Sequence, residues 1–214
     1  MTGAAAIVKC LELEKVDFVF GYPGVAICPF YDSLEDSEIR SILVRTEQNA
    51  AHEANGYARI SGKPGVCAVT SGPGATNIIT GIATAFADSI PLIVITGQVE
   101  SALLGSDVFQ EADICGACES FVKYSYTVRN VEEIPKIFKE AFHIAMTGRK
   151  GPVLIDIPID VQNASLRKFQ YPEEVKMRTY KPTVQGNPVQ IKKMFQRLAA
   201  AKRPILCVGG GVHL

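Results

Sequence analysis

From residue 4 to residue 157 the apolar positions follow two alternating periods. Stretches with apolar residues three and four apart give way to short continuous runs rich in valine and isoleucine. The first period marks a helix with one buried face and the second a strand covered on both faces. The pattern predicts helices over 4–15, 27–34, 47–60, 75–87 and 131–146. It predicts strands over 18–20, 40–44, 66–70, 92–96, 121–126 and 153–157. Helices between buried strands make an α/β fold, expected here as a six-stranded, mainly parallel sheet with helices on both faces. Residues 97–119 show no clear period, and an irregular segment of that length inside a compact domain is usually functional.

After Pro158 the composition turns to Lys, Glu, Pro, Gln and Asn, with Pro172, Pro182 and Pro188 spaced through it. The reading is a domain over 1–160, a linker over 161–187 and the start of a second α/β unit over 188–214. In that unit 188–201 has helical spacing, and 204–208 reads as a strand entering Gly209, Gly210 and Gly211. A lone strand has no neighbours to cover it. The expectation is therefore a fragment of a longer protein, cut just inside its next domain.

Composition removes several classes of function. An apolar share of 47% supports a sizeable core, and 22 basic residues balance 22 acidic ones, for a net charge of zero. No global field exists to hold a nucleic acid or an acidic membrane. The longest apolar runs, such as 91–95, fall far short of the roughly 20 residues that span a bilayer. The N-terminus lacks the basic start and apolar run of a signal peptide, so a cytoplasmic protein is expected. Cys10, Cys28, Cys67, Cys115, Cys118 and Cys207 are scattered and read as small hydrophobes. Only Cys115 and Cys118 have ligand spacing, without the second pair that zinc requires. His52, His143 and His213 are isolated, and no metal site is expected in this chain.

Four loops at predicted strand ends carry residues that let a backbone approach a ligand. They are Gly21-Tyr22-Pro23-Gly24, Thr46-Glu47, the segment from Ser71 to Asn77, and Gly97-Gln98. In an open parallel sheet, ligands bind outside the carboxyl ends of the strands. Gly72-Pro73-Gly74 either turns the chain tightly or cradles a ligand, but no dinucleotide or P-loop fingerprint follows a strand. Glu47 opens a helix whose Ala50, Ala51, Ala54 and Ala58 allow close packing. An acid in a first helical turn also complements the helix dipole, worth about 0.3–1 kcal/mol.

In order along the chain, Phe20-Gly-Tyr-Pro-Gly24, Arg45-Thr-Glu-Gln48, Asn55-Gly-Tyr-Ala-Arg59, Thr70-Ser-Gly-Pro-Gly-Ala-Thr-Asn77, Asp88-Ser-Ile-Pro91, Thr96-Gly-Gln-Val99, Phe109-Gln-Glu111 and Gly148-Arg-Lys-Gly-Pro152 resemble one family. It is the acetolactate synthase family of thiamine diphosphate enzymes, a group that includes pyruvate oxidase. The resemblance covers essentially all of the chain and implies a pyrimidine-binding domain.

By that resemblance, Glu47 bonds N1′ of the cofactor's aminopyrimidine and favours the tautomer that activates C2 of the thiazolium. A carboxyl group suits this role because it can share a proton with a ring nitrogen in a dry pocket. Gln110 would reach the reactive side and Phe109 would wall off water. Gly24, Val25 and Ala26 would border the thiazolium, and Pro73 and Asn77 the pyrimidine. Ser89 and Arg149 match positions that touch the FAD of this subfamily. The implied reaction joins two 2-keto acids, pyruvate among them, with loss of CO2 in branched-chain amino-acid synthesis. The diphosphate and its Mg2+ would be bound by a C-terminal domain absent from this chain, from the second subunit of a homodimer or homotetramer. A regulatory small subunit is a further partner that the resemblance implies, and the chain alone is expected to be an inactive half-site.

Three positions depart from the family pattern. Val25 replaces a second glycine, Thr46 a histidine, and Ile159 a lysine. A branched side chain beside the thiazolium narrows the acceptor pocket, and losing the lysine removes a cation. A related thiamine diphosphate decarboxylase, oxidase or acyltransferase is the alternative reading, and a non-catalytic module that kept the fold is a third.

Overall fold

A computed structural model describes residues 1–212; His213 lies outside the described residues. The fold is built on a single sheet of six strands, β1 (Phe18–Tyr22), β2 (Arg40–Leu43), β3 (Gly65–Val69), β4 (Leu92–Gln98), β5 (Tyr124–Thr127) and β6 (Pro152–Pro158). Their order is β2-β1-β3-β4-β6-β5 and every pairing is parallel. The central β3, β4 and β6 are buried along their whole length, as continuous apolar runs require.

Nine helices accompany these strands among the described residues. They are α1 (Gly3–Leu13), α2 (Cys28–Glu35), α3 (Glu47–Ser61), α4 (Pro73–Asn77), α5 (Ile79–Ala87), α6 (Ile114–Cys118), α7 (Ile134–Met146), α8 (Ile159–Asn163) and α9 (Pro188–Ala200). Right-handed crossovers decide which face each one covers. Where the chain steps from β1 to β2 and from β5 to β6, it moves toward the β2 edge, and α2 and α7 join α1 on one face. Where it steps from β2 to β3, to β4 and on to β5, it moves the other way, and α3, α4, α5 and α6 cover the opposite face. Two cores result. Ile7, Leu11, Phe30, Phe138 and Ile144 meet Val66, Ile93, Ile95 and Val153 on the first face. Ala50, Ala54, Ile78, Ile82 and Ile114 meet Cys67, Val69, Val94 and Leu154 on the second.

The reversal of direction places a switch point at β1 and β3. These neighbours send their onward connections opposite ways, which opens a crevice at their carboxyl ends.

Several elements differ from the sequence expectation. The helix expected over 75–87 starts earlier and is two, because the short α4 ends at Asn77 and α5 starts beyond Ile78. The aperiodic segment contains the end of β4 and the five-residue α6, capped by Asp113 through the Gly116 N–H at 2.8 Å. β5 begins at Tyr124 rather than at 121, since residues 119–121 form a 3-10 turn. No strand forms over 204–208, where Ile205 is 94% exposed and no second strand offers its backbone a partner.

Residues 164–187 run along the domain rather than away from it. Phe169, Tyr171, Met177 and Tyr180 pack against the first core. Lys123 donates to Thr147 O at 2.7 Å and to Tyr180 Oη at 2.9 Å, which satisfies the carbonyl end of α7. The following α9 is capped by Asn187 yet has no buried residue, leaving Ile191, Met194 and Phe195 in solvent.

Candidate functional site

The crevice at the switch point is built from two backbone turns and one helix start. After β1 the chain turns at Gly24, and after β3 it turns through Ser71 to Gly74. A Cβ on Gly24 would lie 2.6–2.8 Å from three atoms of the Thr70 side chain, and a Cβ on Gly74 would lie 2.7 Å from Thr70 Cγ2. Only glycine lets the two turns close on Thr70 from both sides. Thr70 in turn accepts the Ala26 N–H through Oγ1 at 3.3 Å, tying the β1 turn to the end of β3.

Glu47 reaches this crevice from the first residue of α3. Thr46 caps that helix by accepting the Asn49 N–H at 3.4 Å, so Thr46 has a backbone role here. The Glu47 carboxylate receives the Asn77 amide at Oε2, 3.0 Å away. Its Oε1 would lie 3.3 Å from a Cβ on Gly74. No basic side chain pairs with Glu47 among the described residues, so its charge is not already neutralised by an ion pair.

Gln110 enters from the 99–113 segment. Its backbone lies against Gly72, where a Cβ would come within 2.7 Å of Gln110 O, and both residues have left-handed φ, 60° and 58°. The segment is organised by Glu111, whose carboxylate accepts the N–H groups of Gly105 and of Val108. The Gly105 N–H, followed by its neighbours, holds that carboxyl below its ordinary value. Phe109 next to Gln110 is 88% exposed and Val25 is 76% exposed, so this edge presents apolar side chains outward.

The structure thus gathers Gly24, Val25, Ala26, Glu47, Pro73, Asn77, Phe109 and Gln110 at the carboxyl ends of β1 and β3. Ser89 and Arg149 are elsewhere. They precede β4 and β6, at the amino ends of the strands, about 20 Å away at roughly 3.3 Å per residue of strand. There Arg149 donates to Ser89 Oγ at 2.8 Å and to Phe86 O at 2.9 Å, and its guanidinium stacks over the Phe86 ring.

The family described as thiamine pyrophosphate enzyme, N-terminal TPP binding domain, matches residues 1–117. The chain belongs to this family. Among curated relatives, the probable acetolactate synthase large subunit of Methanococcus aeolicus is 53% identical over 216 residues, covering 100% of this chain and 36% of that protein. The acetolactate synthase large subunit of Haemophilus influenzae is 52% identical, over 99% of this chain and 37% of its own length. Acetolactate synthase isozyme 3 large subunit of Escherichia coli is 50% identical with the same coverage. The chain spans just over a third of the relatives it matches.

Within this thiamine pyrophosphate enzyme domain, the structure gives a role to two groups whose members the sequence placed only inside longer motifs or, for Asp156, did not mark at all. Thr70 is the residue both glycine turns close upon, and its signal was only a hydroxyl at the end of a buried strand. The other is a buried polar cluster beneath the 99–113 segment. Asp156 is 3% exposed, and it accepts Thr96 Oγ1–H at 2.6 Å and Gln98 Nε2–H at 3.0 Å. Burial pushes its carboxyl up to about 7, against the lowering effect of those two bonds. Its sequence signal is a single acid inside the apolar run of β6.

Among the described residues the cysteines join no cluster of potential metal ligands. Cys10, Cys67 and Cys118 are buried, Cys115 is half-buried, and Cys28 and Cys207 are exposed. Burial raises the thiols of Cys10 and Cys67 far above the ordinary range, and raises Cys115 and Cys118 to about 11. No helix among the described residues is long and apolar enough to cross a membrane.

Proposed function

We propose that this chain is the pyrimidine-side half of an acetolactate synthase active site, acting in a longer protein that condenses two 2-keto acids, pyruvate as donor, with loss of CO2. The carrying observation is Glu47, an acid without a cationic partner among the described residues, set by Asn77 beside a glycine turn at the switch point. The fit to a flat heterocycle rests on the donor set: a half-buried carboxylate with one oxygen uncommitted, beside buried Gly72 and Gly74, whose missing side chains let the turn close on Gln110 and Thr70.

Glu47 and Asn77, with Pro73 and Gly74, would hold the pyrimidine, and Gly24, Val25 and Ala26 would border the thiazolium. When bound, thiamine diphosphate would supply a carbon acid whose conjugate base can add to a keto carbon, and a ring that can hold the charge left by decarboxylation. Glu47 shares a proton with ring atom N1′, and Asn77 fixes the carboxylate so that one oxygen stays free for it. Gln110 orients the keto acid, its backbone pinned on Gly72. Phe109 shuts out water once a second copy of the protein covers this edge, as a homodimer or homotetramer would.

Mg2+ and the diphosphate fall to a part of the protein outside this chain. FAD at Ser89 and Arg149 fits only as an outer contact, since three of the five Arg149 donors already bind the protein or lie close to doing so. Its place at the far end of the sheet suits a structural flavin. A regulatory small subunit is a further partner on this reading, and the cytoplasm its compartment.

The test is product analysis. The complete protein with thiamine diphosphate, Mg2+ and pyruvate should form acetolactate. Acetaldehyde would favour a decarboxylase, and acetate with hydrogen peroxide an oxidase; either result replaces the present reading.

A further inference from the structure

The segment bearing Phe109 and Gln110 has little regular structure of its own, yet it is tied to the sheet from below. Gln98, the last residue of β4, uses both amide hydrogens: one goes to Asp156 Oδ2 at 3.0 Å and the other to Ala112 O at 2.9 Å. Its Oε1 accepts the Val99 N–H at 2.9 Å. The opposite amide orientation would set Oε1 against two acceptors, so the network fixes Gln98 in one rotamer. Asp156 is fixed in turn by Thr96, its register partner on β4. All three side chains point to the α6 side of the sheet, since they sit at even positions with Val94 and Leu154. At the other end of the segment, Asp160 Oδ1 accepts both the N–H and the hydroxyl of Ser101, at 2.9 and 3.1 Å.

We propose that Asp156 and Gln98 form a buried strut that sets the height of the 99–113 segment, making Asp156 a positioning residue for Gln110 without itself reaching the crevice. Ala112 O is two residues from Gln110, and the Gln110 backbone rests on Gly72, so the segment is clamped between the strut and the glycine turn. A carboxylate is suited to the buried end. It accepts from two donors at once, and it retains the Gln98 bond whether ionised or protonated, because a proton on Oδ1 is accommodated by reversing the Thr96 hydroxyl. Asp113 and Cys115 are the other ionisable groups that face it, and neither supplies a positive charge. A buried acid with no cation is costly unless its hydrogen bonds are complete. The contribution to turnover rests on the acetolactate synthase reading; the contribution to segment order does not.

The experiment compares wild type, Gln98→Met, Asp156→Asn and Thr96→Val in the complete protein by backbone hydrogen exchange and kinetics. Gln98→Met keeps volume and loses both donors, and 100–113 itself loses the bond at Ala112 O, so its amides should exchange about tenfold faster, the equivalent of that one hydrogen bond. Those of β3 and α3 should stay at wild-type rates. Asp156→Asn should restore near-wild-type protection, since its Nδ2 can donate to Thr96 and its Oδ1 can accept from Gln98. Thr96→Val leaves the Gln98 link but removes one of the two bonds that fix Asp156, so 100–113 should exchange faster by clearly less than in Gln98→Met. In kinetics, Gln98→Met should lower kcat while C2 proton exchange on bound thiamine diphosphate stays within about twofold of wild type. Unchanged protection of 100–113 in Gln98→Met, or an equal rise across β3 and α3, overturns the strut. Wild type that makes no acetolactate would sink the functional reading alone, because the exchange result would still decide the strut.

Discussion

Asn77 donates its side-chain amide to Glu47 Oε2 across 3.0 Å, joining the last residue of α4 to the first residue of α3. The two residues are 30 positions apart and meet because β3 returns the chain to the β1 edge. The bond occupies one carboxylate oxygen and leaves the other over Gly74. Glu47→Gln keeps an acceptor for Asn77, so the fold should be unchanged apart from the few tenths of a kcal/mol owed to the helix dipole. Proton exchange at C2 of bound thiamine diphosphate, followed by quenched proton NMR, should fall on the order of 10²-fold or more. Wild-type exchange rates in this variant would remove Glu47 as the proton-sharing group.

Gln110 combines a left-handed φ of 60° with a backbone contact on Gly72, so its main chain and side chain can be tested separately. Gln110→Ala keeps the strain and removes the amide; C2 exchange should persist while later steps slow. Gln110→Gly also relieves the strain, worth about 1–2 kcal/mol per residue in that region. Thermal unfolding should therefore rank Gln110→Gly above Gln110→Ala while both lose turnover. Equal melting temperatures would contradict the strain, and full turnover in either would contradict the orienting role.

Thr70 and Gly74 are a pair that a double-mutant cycle can weigh. Gly74→Ala sets a methyl 2.7 Å from Thr70 Cγ2 and should cost about 1–3 kcal/mol as overpacking. Thr70→Ser deletes that methyl while keeping the hydroxyl for Ala26 N–H. In that background only the 3.3 Å approach to Glu47 Oε1 remains, so Gly74→Ala should cost clearly less, helped by alanine's better helix propensity in α4. Urea unfolding of the four proteins gives the coupling, expected at about 1 kcal/mol or more. Strict additivity would mean that the turns do not close on Thr70.

Much of this fold is written locally. β3, β4 and β6 are continuous apolar runs between Gly and Pro, and α3 and α7 have unbroken helical spacing, so they stand out without tertiary information. The five-residue α6 does not, because so short a helix has no period to read and depends on the Asp113 cap. The end of α4 at Asn77 is similarly invisible, since 75–87 is apolar enough to look like one helix. At the crevice, the glycine turns and Glu47 carry recognisable chemistry in adjacent residues. Thr70 and Asp156 carry theirs only through partners up to 60 positions away, such as the Thr96 that bonds Asp156.

The pH dependence of stability offers a check on Asp156 that needs no cofactor. Burial holds its carboxyl at about 7 in the folded chain, against an ordinary value of 3.8. Between those values the folded state retains a proton that the unfolded state has lost. Stability from this group is therefore complete below about pH 4 and declines as pH rises toward 7, by up to about 1.4 kcal/mol per pH unit. Cys115, raised to about 11, stays neutral throughout and adds no slope. Asp156→Asn removes the titration while keeping bonds to Thr96 and Gln98. Urea midpoints at pH 4.5, 6 and 8 should thus fall for wild type and fall less for the variant, leaving Asp156→Asn at least as stable at pH 8. Such a result would mean that the native acid is retained at a cost in stability. Parallel midpoint curves for the two proteins would instead place the carboxyl at its ordinary value, fully ionised, with Thr96 and Gln98 sufficient to hold its charge.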